Sequence, residues 1–356
     1  MRVVHVINEM GIGGAESLVV ELVDRGARFG WTSAVASSGG SRADDLASRG
    51  HPHYELPLVT RSVPSVLRGR RAVRAALEEF RPDAVIAHNV LASVVVRLAR
   101  QGVPVLAVFH GVAGDDYRLA ARALRCSADQ IVAVAQVIAD RLSAAGAGRP
   151  VPRVIRNAVT PAGRSDRHAA RLGLGIPPDQ AVALCLARLE PQKRHDVLID
   201  AWRLLDVDAT LLVAGDGSLR AELQERAADL GDRIRFLGPR SDVRDLLAAT
   251  DVTVLTSDWE GLPISVLESL AAGRPVVASD VDGLREVLRA GGGRLVPRND
   301  PQRTASALRE LLTDVAARDR AAEHGLATIA NSYDPDDMMR SYDDLLRSLL
   351  SGRDCP

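Results

Sequence analysis

The chain has 356 residues, of which 46% are apolar, 26% charged and 3% aromatic. This length exceeds the roughly 250–300 residues at which a single core stops growing, so two domains are expected. A formal net charge of −1 and few aromatic side chains argue against a nucleic-acid partner. The three cysteines, Cys126, Cys185 and Cys355, are too scattered to form a disulfide framework or a metal motif.

The two halves of the chain differ in charge. Residues 1–160 contain 20 arginines, no lysine and 14 acidic residues, whereas residues 161–356 contain 24 arginines, one lysine and 32 acidic residues. The basic half is able to meet an anionic acceptor or a membrane surface, although two solvated surfaces would differ in the same way. The sequence has no signal-peptide pattern and no window of 18 consecutive apolar residues, so we expect a cytoplasmic protein.

Short β-branched runs alternate with amphipathic helical stretches along the first half. This alternation predicts a parallel sheet with helices on both faces, which is an α/β architecture. The expected strands are VVHVI, TSAVA, DAVIAH, VPVLAVFH and QIVAVA, and the expected helices include residues 16–28, 62–80 and 116–125.

The second half repeats the pattern with AVALCLARL, ATLLVAG, RIRFLG, DVTVLTS, RPVVASD and GRLVP as strands. Residues 157–180 are rich in proline, glycine and charge and are interpreted as a linker. A last helix is expected over residues 333–350, with a proline near its start. We therefore expect Rossmann-like domains over 1–160 and 161–335, and a helical segment, 336–356, that crosses back to the first domain.

A glycine-rich turn follows the first predicted strand, in VVHVINEMGIGGAESLVVELV. A dinucleotide fingerprint requires Gly-x-Gly-x-x-Gly and a carboxylate at the end of the second strand. Gly11 and Gly13 fit, but Glu16 takes the third position and the second strand ends in SSGG. We reject the dinucleotide site. The turn, Gly11–Gly14, is interpreted as a helix start whose backbone N–H groups approach an anion, the alternative being a turn that needs positive φ.

Lys193 is the only lysine, among 44 arginines. It follows Arg188, which lies at the end of a predicted strand, by five residues. Ligands bind at the carboxyl edge of parallel sheets, and a lysine is a compact point charge where an arginine is a broad fork. The two cations therefore suit a diphosphate, with chance survival of one lysine as the alternative.

Two glutamates stand eight residues apart in VLTSDWEGLPISVLESLAAGRPVVASDVDGLRE. Glu260 lies in the loop after a predicted strand, and Pro263 suits the first turn of the helix that carries Glu268. Both carboxylates can therefore line one cleft and accept hydrogen bonds from sugar hydroxyls, including a ribose diol. One capping and one solvated glutamate would explain each residue alone.

This segment closely resembles the E-x7-E motif of the family 4 glycosyltransferases, which are retaining enzymes of the GT-B fold. The resemblance covers nearly the whole chain, because GIGGAE, VFHG, ARLEPQKR, VAGDG and IRFLGPRSDV are similar to further family motifs. It implies two doubly wound Rossmann-like domains that face each other across a cleft. The N-terminal domain would bind the acceptor and the C-terminal domain the nucleotide-sugar donor.

The same resemblance implies a role for each matching residue. The catalytic residues would be His110, Arg188, Lys193 and Glu260. The donor would be bound by Gly13, Gly14, Gly215, Asp216, Gly217, Arg240, Ser241, Asp242, Gly261, Leu262, Pro263, Ile264 and Glu268. The acceptor and sugar side would include Glu16, Asn89, Asp282 and Glu286. Within these sets, Arg188 and Lys193 would hold the diphosphate, His110 would contact the transferring sugar, and Glu268 would bind the ribose.

The chain departs from the family pattern in three places. Ala187 and Ala158 stand where the family often has glycine, and Asp282 stands where it usually has the first of two glycines. The last change adds a carboxylate near the donor sugar. That carboxylate would either select an unusual or amino sugar or face away from it.

We therefore expect a retaining glycosyltransferase that moves a hexose or hexosamine-type sugar from a nucleotide sugar to an envelope glycolipid, a polysaccharide or a secondary metabolite. The expected donor is UDP-linked, with GDP or another nucleotide as the alternative. No cofactor and no metal are expected. Asp-x-Asp matches at 206–208 and 280–282 are weak evidence for a metal-dependent transferase of the other major fold. The alternative within the fold is a sugar-nucleotide epimerase, and the alternative of another class is a non-catalytic partner-binding subunit.

One predicted helix, residues 61–80, is basic and amphipathic. It carries Arg61, Arg68, Arg70, Arg71 and Arg74 beside Val66, Leu67, Val73 and Leu77. Such a helix is typical of a surface that rests on anionic lipid, and a core-facing helix with a solvated basic side is an equal alternative. The first interpretation predicts peripheral contact with the inner face of the membrane.

Overall fold

The computed structural model describes residues 1–58, 62–99, 102–160, 163 and 165–352. The chain forms two compact units. Unit 1 contains Met1–Asn157 and Pro335–Pro356, and unit 2 contains Ala158–Asp334. The chain therefore passes between the units after Asn157 and again after Asp334.

Unit 1 is built on a parallel sheet. Its strands are β1 (Arg2–Val6), β2 (Thr32–Ser37), β3 (His53–Glu55), β4 (Ala84–Ala87), β5 (Val105–Phe109), β6 (Gln130–Ala133) and β7 (Arg153–Val154). The helices between them are α1 (Gly14–Gly26), α2 (Ser41–Ser48), α3 (Val63–Phe80), α4 (Val90–Ala99), α5 (Tyr117–Ser127) and α6 (Gln136–Ala144). The described strands lie in the order β3-β2-β1-β4-β5-β6-β7, so the chain reverses its direction across the sheet between β1 and β4.

Unit 2 repeats the arrangement. The described helices are α7 (Arg167–Gly173), α8 (His195–Arg203), α9 (Arg220–Arg226), α10 (Val243–Ala249), α11 (Ile264–Ala271), α12 (Asp282–Leu288), α13 (Pro301–Thr313) and α14 (Val315–Ser332). The described strands are β8 (Ala181–Leu186), β9 (Ala209–Ala214), β10 (Ile234–Gly238), β11 (Val252–Leu255), β12 (Val276–Ser279) and β13 (Gly293–Val296). They pair in parallel in the order β10-β9-β8-β11-β12-β13, with the reversal between β8 and β11.

The central strands are buried on both faces, which explains their almost continuous apolar sequences. On β8, Ala183 and Cys185 pack into one core with Trp202, whereas Val182 and Leu184 face a second core on the other side of the sheet. Because helices cover both faces of the sheet, the strands are continuously apolar, and such runs can be recognised in the sequence.

The linker prediction was wrong in part. Within residues 157–180 the chain forms α7, whose start is capped by the Asp166 carboxylate. Arg171, at the end of this helix, is only 2% exposed. The guanidinium of Arg171 donates to the carbonyl oxygens of Pro177, Pro178 and Gln180. This charged side chain is therefore buried and hydrogen-bonded to the backbone, and it does not point into solvent as a linker arginine would.

The last helix, α15 (Pro335–Ser351), belongs to unit 1 and packs against α1. Trp31 Nε1 donates a hydrogen bond of 2.8 Å to Asp343 Oδ1, and Arg25 on α1 pairs with Asp336. Residues 353–356 of the segment expected to cross back lie outside the described residues.

Candidate active site

In unit 2, the predicted cations and the first glutamate follow the two strands between which the sheet reverses. The loop after β8 contains Arg188 and Lys193, and the loop after β11 contains Glu260. The two loops are therefore neighbours at the carboxyl edge of the sheet. Doubly wound folds bind ligands at this topological switch point.

Backbone and side-chain hydrogen bonds fasten the two loops together. Thr256 Oγ1 donates to the carbonyl oxygens of Lys193 and Arg194, at 3.1 and 2.9 Å. Gln192 Nε2 donates to the carbonyl of Trp259 at 2.8 Å. Arg194 adopts a left-handed conformation, with φ of 50°, just before α8 begins. This rigid frame fixes where the neighbouring side chains point.

Lys193 and Glu260 form a largely buried ion pair. Lys193 Nζ lies 2.5 Å from Glu260 Oε1, and the two side chains are 14% and 6% exposed. Ser257 Oγ donates to the same oxygen at 2.5 Å. Glu260 Oε2 makes no hydrogen bond to any side chain or backbone group in the described part of the chain. One carboxylate oxygen is thus committed to the protein, and the other remains able to accept from a ligand hydroxyl.

Arg188 differs from Lys193 in being exposed, and its guanidinium has no hydrogen bond or ion pair within the described ranges. Nearby, the Glu190 carboxylate accepts from the backbone N–H and hydroxyl of Ser218, at 3.0 and 2.7 Å. The backbone hydrogen bond from Ser218, with that from its hydroxyl, lowers the pKa of Glu190. Glu190 therefore joins the loop after β8 to the loop after β9 and leaves Arg188 available.

The glycines after β9 are required by close packing. Gly215 has φ of +145°, and a Cβ there would collide with the carbonyl oxygen of Ala187. A Cβ on Gly217 would collide with the carbonyl oxygen of Leu189. The predicted donor residues Gly215, Asp216 and Gly217 therefore lie directly beside the loop of Arg188.

The remaining predicted donor residues lie on three neighbouring segments. Arg240, Ser241 and Asp242 follow β10, where the Arg240 Nε donates to Asp242 Oδ1 at 2.7 Å. Gly261 and Leu262 are buried after Glu260, Pro263 caps the start of α11, and Ile264 and Glu268 lie on that helix. The sequence placed Pro263 in the first turn of this helix, whereas the structure places it one position earlier, at the N-cap.

Asp282 and Glu286 lie on α12, next to the Glu260 loop. A Cβ on Gly283 would collide with the carbonyl oxygen of Gly261, so the start of α12 contacts the loop backbone directly. Asp282 and Glu286 are both partly buried. The sequence departure at Asp282 is therefore adjacent to the predicted sugar-binding glutamate.

In unit 1 the corresponding switch point lies between β1 and β4. The glycine turn with Gly13, Gly14 and Glu16 follows β1, and Asn89 follows β4. Asn89 Nδ2 donates to Asn8 Oδ1 at 3.2 Å, so the two loops meet here as well.

The glycine turn does not owe its composition to positive φ. Gly13 is extended, with φ of −174°, and Gly11 and Gly14 are not among the glycines of positive φ. A Cβ on Gly13 would meet only the Glu16 carboxylate, the flexible end of a side chain that can move aside. Neither positive φ nor close backbone packing therefore requires glycine at this position.

Two buried histidines, His5 and His88, and the partly buried His110 lie on or directly after the neighbouring strands β1, β4 and β5. His5 Nδ1 lies 3.1 Å from His88 Nε2 with the rings stacked, and His110 follows β5. Burial lowers the pKa of His110 to about 4 and that of His5 to about 3, where nearby His51 adds a smaller effect. Burial also lowers the pKa of His88, and electrostatic repulsion from His5 and His110 lowers it further. At neutral pH all three imidazoles are uncharged, and His110 can donate or accept a hydrogen bond without adding charge.

Sequence reasoning missed several residues that organise these loops. Ser257 holds Glu260, and Arg194 pairs with Asp196 and Asp258. Arg42 donates to the carbonyl of Gly13 at 3.0 Å and to Ser17 Oγ at 2.7 Å. Arg194 was detectable as the neighbour of Lys193. The contact of Arg42 with the glycine turn could not be predicted from the sequence, because Arg42 lies on the helix after β2, distant from that turn along the chain.

Two of the Asp-x-Asp carboxylates are paired with arginine, Asp206 with Arg309 and Asp280 with Arg285. Within the described ranges, no group of three or more His, Cys, Asp or Glu side chains is placed to hold a metal ion. Over the same ranges, every helix is too short or too polar to cross a bilayer.

Comparison with known proteins places the chain in a family. A model of glycosyltransferase family 4 matches residues 12–162, and a model of the group 1 glycosyl transferases matches residues 166–327. A D-inositol 3-phosphate glycosyltransferase of Streptosporangium roseum is 32% identical over 303 residues, which cover 74% of this chain and 69% of that protein. The chain belongs to glycosyltransferase family 4. The sequence resemblance that predicted this family is confirmed.

Other similarities agree with this family 4 assignment. The lipopolysaccharide core biosynthesis glycosyltransferase LpsE of Rhizobium meliloti is 35% identical over 223 residues, 62% of this chain. The matched region spans 64% of that relative, less than two thirds of its length. The structure of Anabaena HepE in complex with UDP-glucose superposes with a TM-score of 0.85 at 23% identity, over 98% of this chain and 100% of HepE. This likeness shows the GT-B fold, as the sequence predicted.

Proposed function

We propose that this family 4 protein is a retaining glycosyltransferase that transfers a hexose or hexosamine-type sugar from a UDP-sugar to an acceptor. The observation that carries the proposal is the buried Lys193–Glu260 pair at the switch point of unit 2, with the unpaired Arg188 beside it. This combination supplies positive charge for a diphosphate and a carboxylate oxygen for a sugar hydroxyl.

The donor half of the reaction is assigned to unit 2. Negative charge grows on the diphosphate as the bond to the anomeric carbon breaks, and preorganised cations stabilise that charge. Lys193 is held in place by Glu260, whereas Arg188 is free to close onto the phosphates. Glu260 Oε2 would accept from a hexose hydroxyl, Glu268 from the ribose, and the backbone of 240–242 would meet the base.

The fixed Lys193 and the available Arg188 also remove the need for a metal ion as the electrostatic partner of the diphosphate. We therefore propose a metal-independent reaction with retention at the anomeric carbon. In such a reaction the leaving phosphate itself accepts the proton of the acceptor hydroxyl. Full activity in the presence of a chelator, with an α-linked product from an α-linked donor, is the expected result.

The acceptor half is assigned to unit 1. Its switch point offers neutral groups, Asn89, Asn8 and His110, which suit an uncharged polyhydroxyl group. The exposed side of α3 carries Arg68, Arg70, Arg71 and Arg74 beside Val63 and Leu67, which are 72% and 50% exposed. We propose that this surface brings the enzyme to anionic lipid.

The structure corrects the sequence interpretation of α3 in one respect. Val73 and Leu77 are buried in the core of unit 1, so only Leu67 and the newly recognised Val63 are strongly exposed. Arg61 lies outside the described residues. The helix is thus mainly a core helix with a basic outer side, and membrane contact would rest on charge more than on apolar area.

Thermal unfolding with UDP, GDP, dTDP, ADP and NAD, each without metal, tests the proposal. A ligand at 100 times its dissociation constant adds about 2.7 kcal/mol, which corresponds to about 5–10 °C for domains of this size. We expect this rise with UDP and none with NAD. A rise with GDP alone would retain the family mechanism and change the donor, whereas a rise with NAD alone would contradict the proposal.

Turnover then separates the transferase from its rivals. A transferase consumes UDP-glucose or UDP-N-acetylglucosamine rapidly only when an acceptor is present. An epimerase would change the donor or release sugar without any acceptor. A non-catalytic subunit would bind UDP and turn over nothing with any acceptor pool.

A further inference from the structure

The opposite edge of the unit 2 sheet, at the amino ends of its strands, contains a second group of charged side chains. Asp251 immediately precedes β11, and Arg274 precedes β12 by two residues. Thr253 is paired with Val276 in the parallel register, which sets Asp251 beside Arg274 on adjacent strands. This edge is a full strand length away from Lys193 and Glu260, so it is a separate place on the unit.

Both carboxylate oxygens of Asp251 already accept hydrogen bonds. Its Oδ1 accepts from Arg167 Nη2 at 2.5 Å, and its Oδ2 accepts from Arg171 Nη2 at 2.9 Å and from the backbone N–H of Val182 at 2.8 Å. Arg167 and Arg171 lie one turn apart on α7, so one helix supplies two guanidinium groups to this carboxylate. Three of its roughly four acceptor positions are occupied, and Arg274 makes no hydrogen bond to it.

Arg274 is a third arginine beside this carboxylate. Its side chain makes no hydrogen bond or ion pair with any residue the structure describes, and its Nε is buried from solvent. Burial lowers the pKa of Arg274, and the positive charges of Arg167, Arg171 and Arg318 lower it further against the opposing effect of Asp251. A partly buried guanidinium without an acceptor, among like charges, is costly.

The nearby acids do not balance this charge. Arg318 donates to the carbonyl oxygens of Leu311 and Leu312, at 3.3 and 3.4 Å, and so brings no carboxylate with it. Asp179 raises the pKa of Arg171, but Arg274 shows no effect from it. Asp251 therefore acts on Arg274 through its charge alone, without a hydrogen bond.

We propose that Arg274, together with Arg167 and Arg318, binds a phosphate group at the amino edge of unit 2. Arginine forks match the oxygens of a tetrahedral dianion, and charge-assisted hydrogen bonds are the strong ones in proteins. The partly exposed sides of Arg167 and Arg274 give an anion access from solvent. Binding there stabilises unit 2 and makes its stability depend on the phosphate concentration.

Thermal unfolding of the full chain in chloride buffer, titrated with inorganic phosphate and separately with glycerol 3-phosphate, tests this site. Phosphate at ten times its dissociation constant is expected to raise the melting temperature of unit 2 by about 3–6 °C. A response to both ligands would indicate that an esterified phosphate is accepted, and a response to inorganic phosphate alone would restrict the site to the free ion.

The Arg274→Met variant is expected to lose most of this rise. Arg289→Met is the matched control, since Arg289 is an exposed arginine of the same unit whose side chain makes no hydrogen bond or ion pair with any described residue. In chloride alone, Arg274→Met is expected to be at least as stable as the parent, because like-charge repulsion is relieved. Arg274→Lys keeps the charge and is expected to retain part of the response.

Three outcomes would overturn the proposal. Equal responses of Arg274→Met and Arg289→Met would mean that phosphate acts elsewhere, for example on Arg188 and Lys193. The absence of any rise in the parent protein would exclude the site. A loss of stability of Arg274→Met in chloride alone would assign Arg274 a structural contact instead.

Discussion

The two units share one topology, but the chemistry at their switch points differs. In unit 2 the edge between β8 and β11 carries Lys193, Glu260 and Arg188, all of them charged. In unit 1 the edge between β1 and β4 carries glycines, the Asn8–Asn89 amide pair and neutral imidazoles, and its charged groups Glu16 and Arg42 lie at the glycine turn. The difference persists although unit 1 has the more basic sequence.

The net charge of each half of the chain is therefore independent of the charge at its switch point. The acidic half of the chain places Arg188 and Lys193 at its switch point, whereas arginines of the basic half lie on surfaces such as α3. The cations at the unit 2 edge suit a nucleoside diphosphate, and the amide and imidazole groups at the unit 1 edge suit sugar hydroxyls. Each of the following changes tests one side of this contrast.

Replacement of Lys193 by methionine should have the largest effect. It removes the cation and leaves the buried Glu260 with Ser257 as its hydrogen-bond donor. We expect kcat/KM for the UDP-sugar to fall about 100- to 1,000-fold, mostly through kcat, because charge on the leaving diphosphate is no longer stabilised. Steady-state kinetics measure this loss, with Arg289→Met as the control.

Lys193→Arg sharpens the same test. The ammonium site is only 14% exposed, so the broader guanidinium should fit poorly and restore little activity. A fall of less than threefold in the methionine variant would contradict the proposed diphosphate site.

Acidification should destabilise unit 1 more than unit 2. The pKa values of His5, His88 and His110 lie below the unfolded value of 6.5, so the unfolded chain binds protons first as the pH falls. Stability is therefore full above pH 6.5 and is lost towards the folded pKa values, by up to about 1.4 kcal/mol per pH unit for each imidazole. In the described part of unit 2, His195 alone has a pKa lowered in this way, to about 4.

Hydrogen exchange between pH 7 and pH 5 distinguishes the two units. Amides of β1, β4 and β5 should lose protection more steeply than those of β8 and β11. His5→Gln should make the slope for unit 1 shallower by about one proton. Parallel loss of protection in both units would show that carboxylates, and not these three histidines, govern the acid response.

Neutralising the outer side of α3 should weaken lipid binding by a smaller amount. Each arginine near an anionic surface contributes about 1 kcal/mol, so the double variant Arg68→Gln and Arg71→Gln should lower vesicle affinity about 10- to 30-fold. Flotation with and without anionic lipid measures it. The control is Arg118→Gln with Arg122→Gln, on the exposed side of α5. Equal losses in both double variants, or no binding by the parent, would contradict a docking role for α3.

The Asn89→Ala variant should have the smallest effect. Asn89 Oδ1 accepts from the Ala92 backbone N–H at 2.8 Å, at the start of α4, so its loss should cost about 1 kcal/mol of stability. We expect a raised KM for the acceptor and an unchanged KM for the donor. Asn8→Ala removes only the amide pair and should leave the melting temperature nearer to that of the parent. A raised KM for the donor would contradict this assignment, because Asn89 would then contact the donor and not the acceptor.

Much of this fold could be predicted because its central strands are buried on both faces. Runs such as AVALCL and ATLLVA are continuous and apolar, and each is followed by a glycine or a cation at the carboxyl edge. The short strands β3 and β7 could not be recognised, because two or three residues carry no period. Helix α7 was mistaken for a linker because its buried group is an arginine.

The site was predictable only where its residues follow the strands in sequence. Lys193 and Glu260 stood out by rarity and spacing, and the structure brings them within 2.5 Å of each other. The supporting residues did not stand out. Arg42 and Ser218 act through contacts between loops that are distant in sequence. Ser257 lies only three residues before Glu260, but a single serine there forms no recognisable motif. The catalytic and donor roles given to the predicted site residues, and the E-x7-E spacing of Glu260 and Glu268 among them, remain predictions.

Helix α15 has a consequence for how the protein is made. Its residues complete unit 1 by covering α1 and Trp31, yet they follow the whole of unit 2 along the chain. On the ribosome, unit 2 can close as soon as its own residues emerge, whereas unit 1 must wait with an uncovered flank until synthesis reaches Pro335. The first segment to be translated is thus the last to finish folding, and the interval leaves it open to chaperones and proteases.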